Sequence, residues 1–168
     1  MVSNFSKYSW AYLAGFLDGD GSIYVRVKPN NTYRYGFQIS PLVVFFQSIK
    51  AKNKIQKMHK SYGVGYIRER NDGIIEWTIG DENSIHALIK GVMPFLVLKK
   101  DQAKLMLQVL DARSKVKKEE DFIRIVKNID KFKNLNYSKK RSVGTEKVLA
   151  HLKLRLEVKL KRKNLLAP

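Results

Sequence analysis

The chain contains no cysteine, which excludes disulfides and thiolate metal sites and says little about redox compartment. Its three histidines, His59, His86 and His151, are far apart in sequence and do not suggest a clustered imidazole metal site. No apolar run approaches the roughly 20 residues of a membrane span. Met1 to Tyr8 has one lysine, no arginine and no apolar core, so it reads as neither a signal peptide nor a transit peptide. No low-complexity linker divides the chain, and one domain over residues 1–168 is expected. Acidic residues are also scarce: 33 Lys+Arg stand against 15 Asp+Glu, a formal net charge of +18. That excess predicts a polyanionic partner, either nucleic acid or an anionic membrane surface. From Met1 to Arg68 the only acids are Asp18 and Asp20. Two carboxylates so close together in a basic and apolar stretch read either as solvated acids of a helix-end turn or as a divalent-metal site facing phosphate.

What is present is a globular composition, 44% hydrophobic and 29% charged, in a chain long enough for a real core. Trp10 to Leu17 is apolar and predicts a short helix, ended by Asp18-Gly-Asp-Gly21. Ser22 to Lys28 alternates, with Ile23, Val25 and Val27 against Tyr24, Arg26 and Lys28, as a half-buried strand does. After a turn at Pro29-Asn30-Asn31, Tyr35 to Gln47 reads as a second strand, in which Pro41 suggests a bulge or an unpaired position. Ile49 to Tyr62 is a basic helix with Gly63 just past its end. Tyr66–Arg70 and Ile74–Ile79 form a hairpin around Asn71-Asp72-Gly73. Helices follow around Ile85–Val92, Lys100–Ala112 and Glu119–Lys133. Residues 152–160 fit either a strand or a helix, and their helix-forming composition favours the helix. The order αββαββα, with hairpin-paired strands and appended C-terminal helices, places the chain in the α+β class with an antiparallel sheet. Residues 1–135 are expected to form the core and 136–168 a basic C-terminal extension.

Leu13-Ala-Gly-Phe-Leu-Asp-Gly-Asp-Gly21 resembles the LAGLIDADG motif, with departures at Phe16, Leu17 and Gly19. The likeness continues through Gly21-Ser-Ile, Gln47, Gly63-Val-Gly-Tyr66 with Arg68 and Arg70, and Pro94-Phe-Leu-Val-Leu-Lys-Lys100. Over nearly its whole length the chain is similar to the LAGLIDADG homing endonucleases, most closely their single-motif, homodimeric, intron-encoded branch. That resemblance implies a site-specific double-strand DNA endonuclease that hydrolyses phosphodiester bonds at a long pseudo-palindromic target. It implies an intracellular place with the DNA of a host genome, in an organelle or a prokaryotic cytoplasm, and no small-molecule cofactor.

Gly15 and Gly19 are four residues apart and share a helix face, where a second helix can approach closely. With one motif in the chain, that helix must come from a second copy. The resemblance implies a dimer interface of Leu13, Gly15, Phe16 and Gly19; ordinary close packing within one chain is the bland alternative. It also implies that the Asp20 carboxylate and the Gly19 carbonyl hold Mg²⁺, with Mn²⁺ as a substitute, while Asp18 satisfies backbone groups at the helix end. Gln47 would orient a water and Lys99 would offset charge in the transition state. Otherwise they are a strand-end residue and a solvated lysine. A basic residue that the family carries a few positions after Gln47 falls at Ala51, between Lys50 and Lys52, so its role is unassigned.

Period-two alternation puts Tyr24, Arg26, Lys28, Gln38, Ser40, Arg68 and Arg70 on one strand face, with Asn30 and Tyr33 in the loop beyond. Under the resemblance this face reads the major groove. Glu76 either contacts a cytosine or pairs with an arginine. Leu42 and Val44 either read thymine methyls or are buried by a register shift at Pro41. Ser138, Lys139, Lys140 and Arg141, and the basic run Lys159 to Lys163, are candidates for phosphate contacts. Two other roles stay open for this fold: a non-catalytic RNA maturase and a DNA-binding regulator. An intein is disfavoured by the missing cysteine and the Ala-Pro end.

Overall fold

The computed structural model describes residues 7–136 and 143–165. Its elements are α1 (Lys7–Asp20), β1 (Gly21–Pro29), β2 (Phe37–Ser48), a 3-10 turn (Ile49–Ala51), α2 (Lys52–Tyr62), β3 (Tyr66–Glu69) and β4 (Ile74–Ile79). Five helices follow: α3 (Glu82–Val92), α4 (Lys100–Ser114), α5 (Glu119–Asp130), α6 (Phe132–Leu135) and α7 (Thr145–Leu165). This is the α+β arrangement expected, with one antiparallel sheet in the order β1-β2-β4-β3. No helix among the described residues is long and apolar enough to cross a membrane.

Alternation decides the two faces of the sheet. Ile23, Val25 and Val27 of β1, Phe37, Ile39, Val43 and Phe45 of β2, and Ile75, Trp77 and Ile79 of β4 are all buried. Helices α1, α3 and α4 pack against the sheet, and α5 and α7 add a further layer behind α4. A sheet buried on one face leaves the other free for function.

Three expectations are refined. Of the two alternatives at Pro41 the bulge is absent: the register runs unbroken from Gly21↔Phe45 to Pro29↔Phe37, with Pro41 opposite Val25. β4 pairs with β2 only from Val43 onward, so Pro41 sits where β2 has a neighbour on one side alone, a position that tolerates proline. Second, α1 does not stop at Leu17 but runs through Gly19 to Asp20. Helical glycine costs about 1 kcal/mol against alanine, and the anchoring of Asp18 described below offsets it. Third, the helix expected over Glu119–Lys133 breaks at Lys131, and α6 delivers Phe132 into the core. The basic helix after β2 likewise begins with a 3-10 turn, capped by the Ser48 hydroxyl oxygen, which accepts from the Lys50 amide at 3.3 Å. It ends at Gly63, whose φ of 77° is the left-handed C-cap expected from the sequence.

The tail is helical. The core does not end at residue 135: Val143, Val148 and Leu152 belong to the same buried cluster. The first turns of α7 are therefore core, while Leu154 and Leu156 further along are exposed. Leu152, 5% exposed, should lose about 2–4 kcal/mol of stability on replacement by alanine. Leu156, 59% exposed, should change by less than about 0.5 kcal/mol. Urea unfolding of the two variants measures this; equal small losses would contradict the packing of α7.

Candidate functional site

The C-terminal turn of α1 is held from outside the helix. The Asp18 carboxylate is buried and accepts three backbone N–H groups, from Val97 at 2.7 Å, Leu98 at 3.2 Å and Lys99 at 2.9 Å. Asp18 is thus structural, but its partners are the segment leading into α4 rather than its own helix end. The contact is reciprocal, because the Lys99 ammonium donates to the Asp18 carbonyl oxygen. That carbonyl is one of the last four of α1, which have no intrahelical partner, and a cation there also suits the helix dipole.

Asp20, two residues on, is exposed. Gln47, next to the end of strand β2 and of the same parity as the core-facing Phe45, donates from Nε2 to Asp20 Oδ2 at 3.3 Å. Its Oε1 accepts from the Ser48 amide at 2.9 Å. A backbone N–H can only donate, so the amide orientation of Gln47 is settled: oxygen to Ser48, donor nitrogen to Asp20. Burial holds the Lys99 ammonium below the ordinary lysine pKa, and the charges of Asp18 and Asp20 pull it part of the way back. Asp20, Gln47 and Lys99, drawn from three separate segments, therefore gather at the end of α1. Beside them, Lys52 is ion-paired with Glu69 at 2.5 Å, and Lys50 is exposed.

The donor set suits a hard cation. An exposed carboxylate and the carbonyl-bearing, electronegative end of a helix offer oxygen ligands only. Among the described residues no group of three or more His, Cys, Asp or Glu comes together. One chain thus supplies a partial oxygen set of the kind that Mg²⁺, which keeps waters and bridges to phosphate, can use.

The outer face of α1 leads directly to this point. Ala11, Tyr12, Gly15 and Gly19 are exposed, and a Cβ built on Gly15 or Gly19 meets nothing within 4 Å. Among the described residues nothing packs closely against these glycines. Phe16 is half-buried, its ring 5.1 Å from that of Phe45. Leu13 is a correction: it is 2% exposed, points into the chain's own core, and does not lie on this face. Ala11 and Tyr12 take its place. For Ala11 the signal in the sequence was the four-residue spacing Ala11-Gly15-Gly19.

On the sheet face away from the helices the register pairs Lys28 with Gln38, Arg26 with Ser40 and Tyr24 with Leu42. Arg26 donates to the Tyr24 hydroxyl at 3.0 Å and lies over its ring at 5.1 Å. Burial raises the Tyr24 pKa, opposed by Arg26. Asn30 and Tyr33 sit at the tip of the β1–β2 hairpin, beyond the strands. Arg68 and Arg70 converge on one acid: Glu76, 7% exposed, accepts from Arg68 at 2.9 and 2.6 Å and from Arg70 at 3.0 Å. Glu76 is thus an arginine partner. Asp72, which the sequence marked only as a turn residue, holds the other side of Arg70 at 2.5 Å. These bonds raise the Arg70 pKa, and Arg70 in turn lowers that of Asp72. Leu42 is half-buried and Val44 buried on this same face with no shift of register. Tyr66, opposite Thr78, is exposed on the same face as Arg68, as parity along the strand places it. Ser138, Lys139, Lys140 and Arg141 lie outside the described residues.

The pattern described as LAGLIDADG endonuclease matches residues 13–96. The chain is 33% identical over 153 residues to DNA endonuclease I-CreI of Chlamydomonas reinhardtii, covering 90% of this chain and 93% of that one. It is 31% identical over 147 residues to DNA endonuclease I-CvuI of Chlorella vulgaris, covering 88% and 90%. The crystal structure of homing endonuclease I-CvuI in complex with the I-CreI target in the presence of Mg, its DNA not cleaved, superposes with a TM-score of 0.83. That match, at 31% identity, covers 89% of this chain and 96% of the other. The same enzyme with its own target and Ca gives 0.82.

Asp18→Asn replaces a carboxylate that takes three amides by a group with one acceptor oxygen and an N–H₂ facing a donor. The expected loss of stability is about 1–3 kcal/mol. Asp20→Asn, at an exposed position, should change stability by less than about 0.5 kcal/mol. Thermal unfolding of both variants distinguishes the two acids; equal stability would contradict the division of roles.

Proposed function

The chain belongs to the LAGLIDADG endonuclease family and is a homing endonuclease, and from that premise we propose how its residues cut DNA. Two copies join through the open faces of α1 and hydrolyse both strands of a long pseudo-palindromic target. The observation that carries this is the unfilled space over Gly15 and Gly19, on a helix whose exposed end is Asp20. Two such helices, brought together, set two Asp20 carboxylates side by side.

Asp20 and the Gly19 carbonyl are the ligands for Mg²⁺, which Mn²⁺ is expected to replace. When bound, such an ion polarises a phosphate, lowers the pKa of a bound water and stabilises a leaving oxygen. The protein's own contribution is positioning and charge. Gln47 presents a donor, so it holds a water through that water's oxygen and leaves its lone pair toward the phosphate oriented; a neutral amide takes no proton. Lys99, fixed at Asp18, places a positive charge where the transferring phosphate becomes more negative. Arg26, Lys28, Gln38, Ser40, Arg68 and Arg70 read base edges from the major groove, with Glu76 holding the two β3-side arginines in position. The convergence of Asp20, Gln47 and Lys99 supports cleavage over a purely RNA-folding or regulatory role. The chain works with the DNA of its host genome, in an organelle or a prokaryotic cytoplasm.

Asp20→Asn should keep binding and abolish metal-dependent cleavage, a loss of at least about 100-fold in rate, or roughly 3 kcal/mol. Strand cleavage and gel-shift assays on one duplex measure both. Normal cutting by the variant in Mg²⁺ would refute the site.

Lys99 supplies a second test. Its folded-state pKa is depressed, so its charge is lost at a lower pH than that of an ordinary lysine, about 10.4. Single-turnover cleavage should therefore fall as pH rises through a value below that. Lys99→Arg, charged throughout, should move this alkaline limb upward. A limb unchanged in the arginine variant would remove Lys99 from the chemistry.

A further inference from the structure

The β1–β2 hairpin extends beyond the rest of the sheet. β4 reaches β2 only from Val43, so Val25–Pro29 and Phe37–Pro41 form a two-stranded ribbon. Such a ribbon is marginal by itself. Its tip carries Asn30 and Tyr33. β1 has nine residues, and at about 3.3 Å each it spans about 30 Å, which places the tip roughly eight to nine base-pair steps from Asp20.

Within itself the tip is well tied. Asn30 N donates to Gly36 O at 2.8 Å, Gly36 N to Tyr33 O at 2.8 Å, and the Thr32 amide and hydroxyl both donate to Asn30 Oδ1. These bonds shape the loop but do not fix it against the body. That comes from the C-terminal helices. Tyr35 stacks on Phe122 of α5 with ring centres 4.9 Å apart. His151 of α7 meets the Phe37 ring edge-on at 5.0 Å. It also fills the space over Gly36, where a Cβ would come within 2.5 Å of its Nε2, and where the φ of +78° already favours glycine. One turn further along α7, Arg155 Nη1 donates to the Arg34 carbonyl at 3.0 Å. The start of α7 is fixed in turn, because the Thr145 amide and hydroxyl donate to Asp130 at 2.9 and 2.6 Å.

We infer that His151 and Arg155 of α7 are positioning residues for DNA reading, which set the pose of Asn30 and Tyr33 and hence base preference at the outermost pairs of each half-site. This rests on reading the outer sheet face as the DNA surface. Neither side chain is needed at the cleavage centre, since both lie at the opposite end of β1 from Asp20. Arg155 holds a main-chain carbonyl, so its effect reaches DNA only through the geometry of the loop.

The test is selection by binding from a duplex library, in Ca²⁺, using the full-length chain and its Arg155→Ala and Arg155→Lys variants, each with a melting temperature. Arg155→Ala should lower discrimination at the outermost positions by about five- to tenfold, the worth of roughly one good base contact. Inner positions and the melting temperature should stay unchanged, and Arg155→Lys, which still offers a donor to one carbonyl, should restore much of the preference. A uniform loss across the whole site, a loss that follows a drop in melting temperature, or an unchanged outer preference would each overturn the proposal. A wild-type chain that selects no sequence removes the DNA-reading face as well. A wild-type chain that selects one, with outer preference intact in Arg155→Ala, removes this inference alone.

Discussion

One buried carboxylate, that of Asp18, ties together the parts from which the site is made. It takes the amides of Val97, Leu98 and Lys99, a segment about eighty residues away in sequence. Charge-assisted bonds from three fixed donors are worth more than neutral ones, and here they join the end of α1 to the start of α4. Two consequences follow at once. The Lys99 ammonium is drawn to the same turn, beside Asp20 and Gln47. And α1 is kept helical through two glycines to its last residue, so that its open face extends as far as Asp20. The two acids thus divide their work: Asp18 satisfies the backbone, and Asp20 remains exposed for a ligand.

The sheet applies a similar logic to the opposite charge. A surface with so many cations repels itself, and flexible arginines would lose much side-chain entropy on meeting DNA. Glu76, buried beneath Arg68 and Arg70, holds the two guanidinium groups in place and, under the proposed reading of this face, relieves both costs. Asp72 adds a second hold on Arg70. Two of the few acids in this basic chain, Glu76 and Asp72, thus orient cations of the proposed reading face.

Much of this was legible in the sequence because it is periodic. Alternation in residues 22–28 placed the core and the outer face correctly, and Gly63 marked a helix end through its backbone conformation. The acids of the motif were visible as the only two in the first 68 residues. What stayed hidden depends on long-range packing. No local pattern tells that Asp18 caps a distant segment. Proline statistics left a bulge or an unpaired position open at Pro41, and the second holds, because β4 ends short of it. The tail read as a basic extension outside the core, since Val148 and Leu152 are too few to announce a buried helix face among so many lysines.

The central claim is that one chain carries half of a cutting machine, completed by a second copy across the open face of α1. Stoichiometry on DNA tests it most directly. Sedimentation equilibrium of the chain on a duplex it cleaves should give two chains per duplex at the concentration where both strands are cut. A single chain per duplex that still cuts both strands would contradict it.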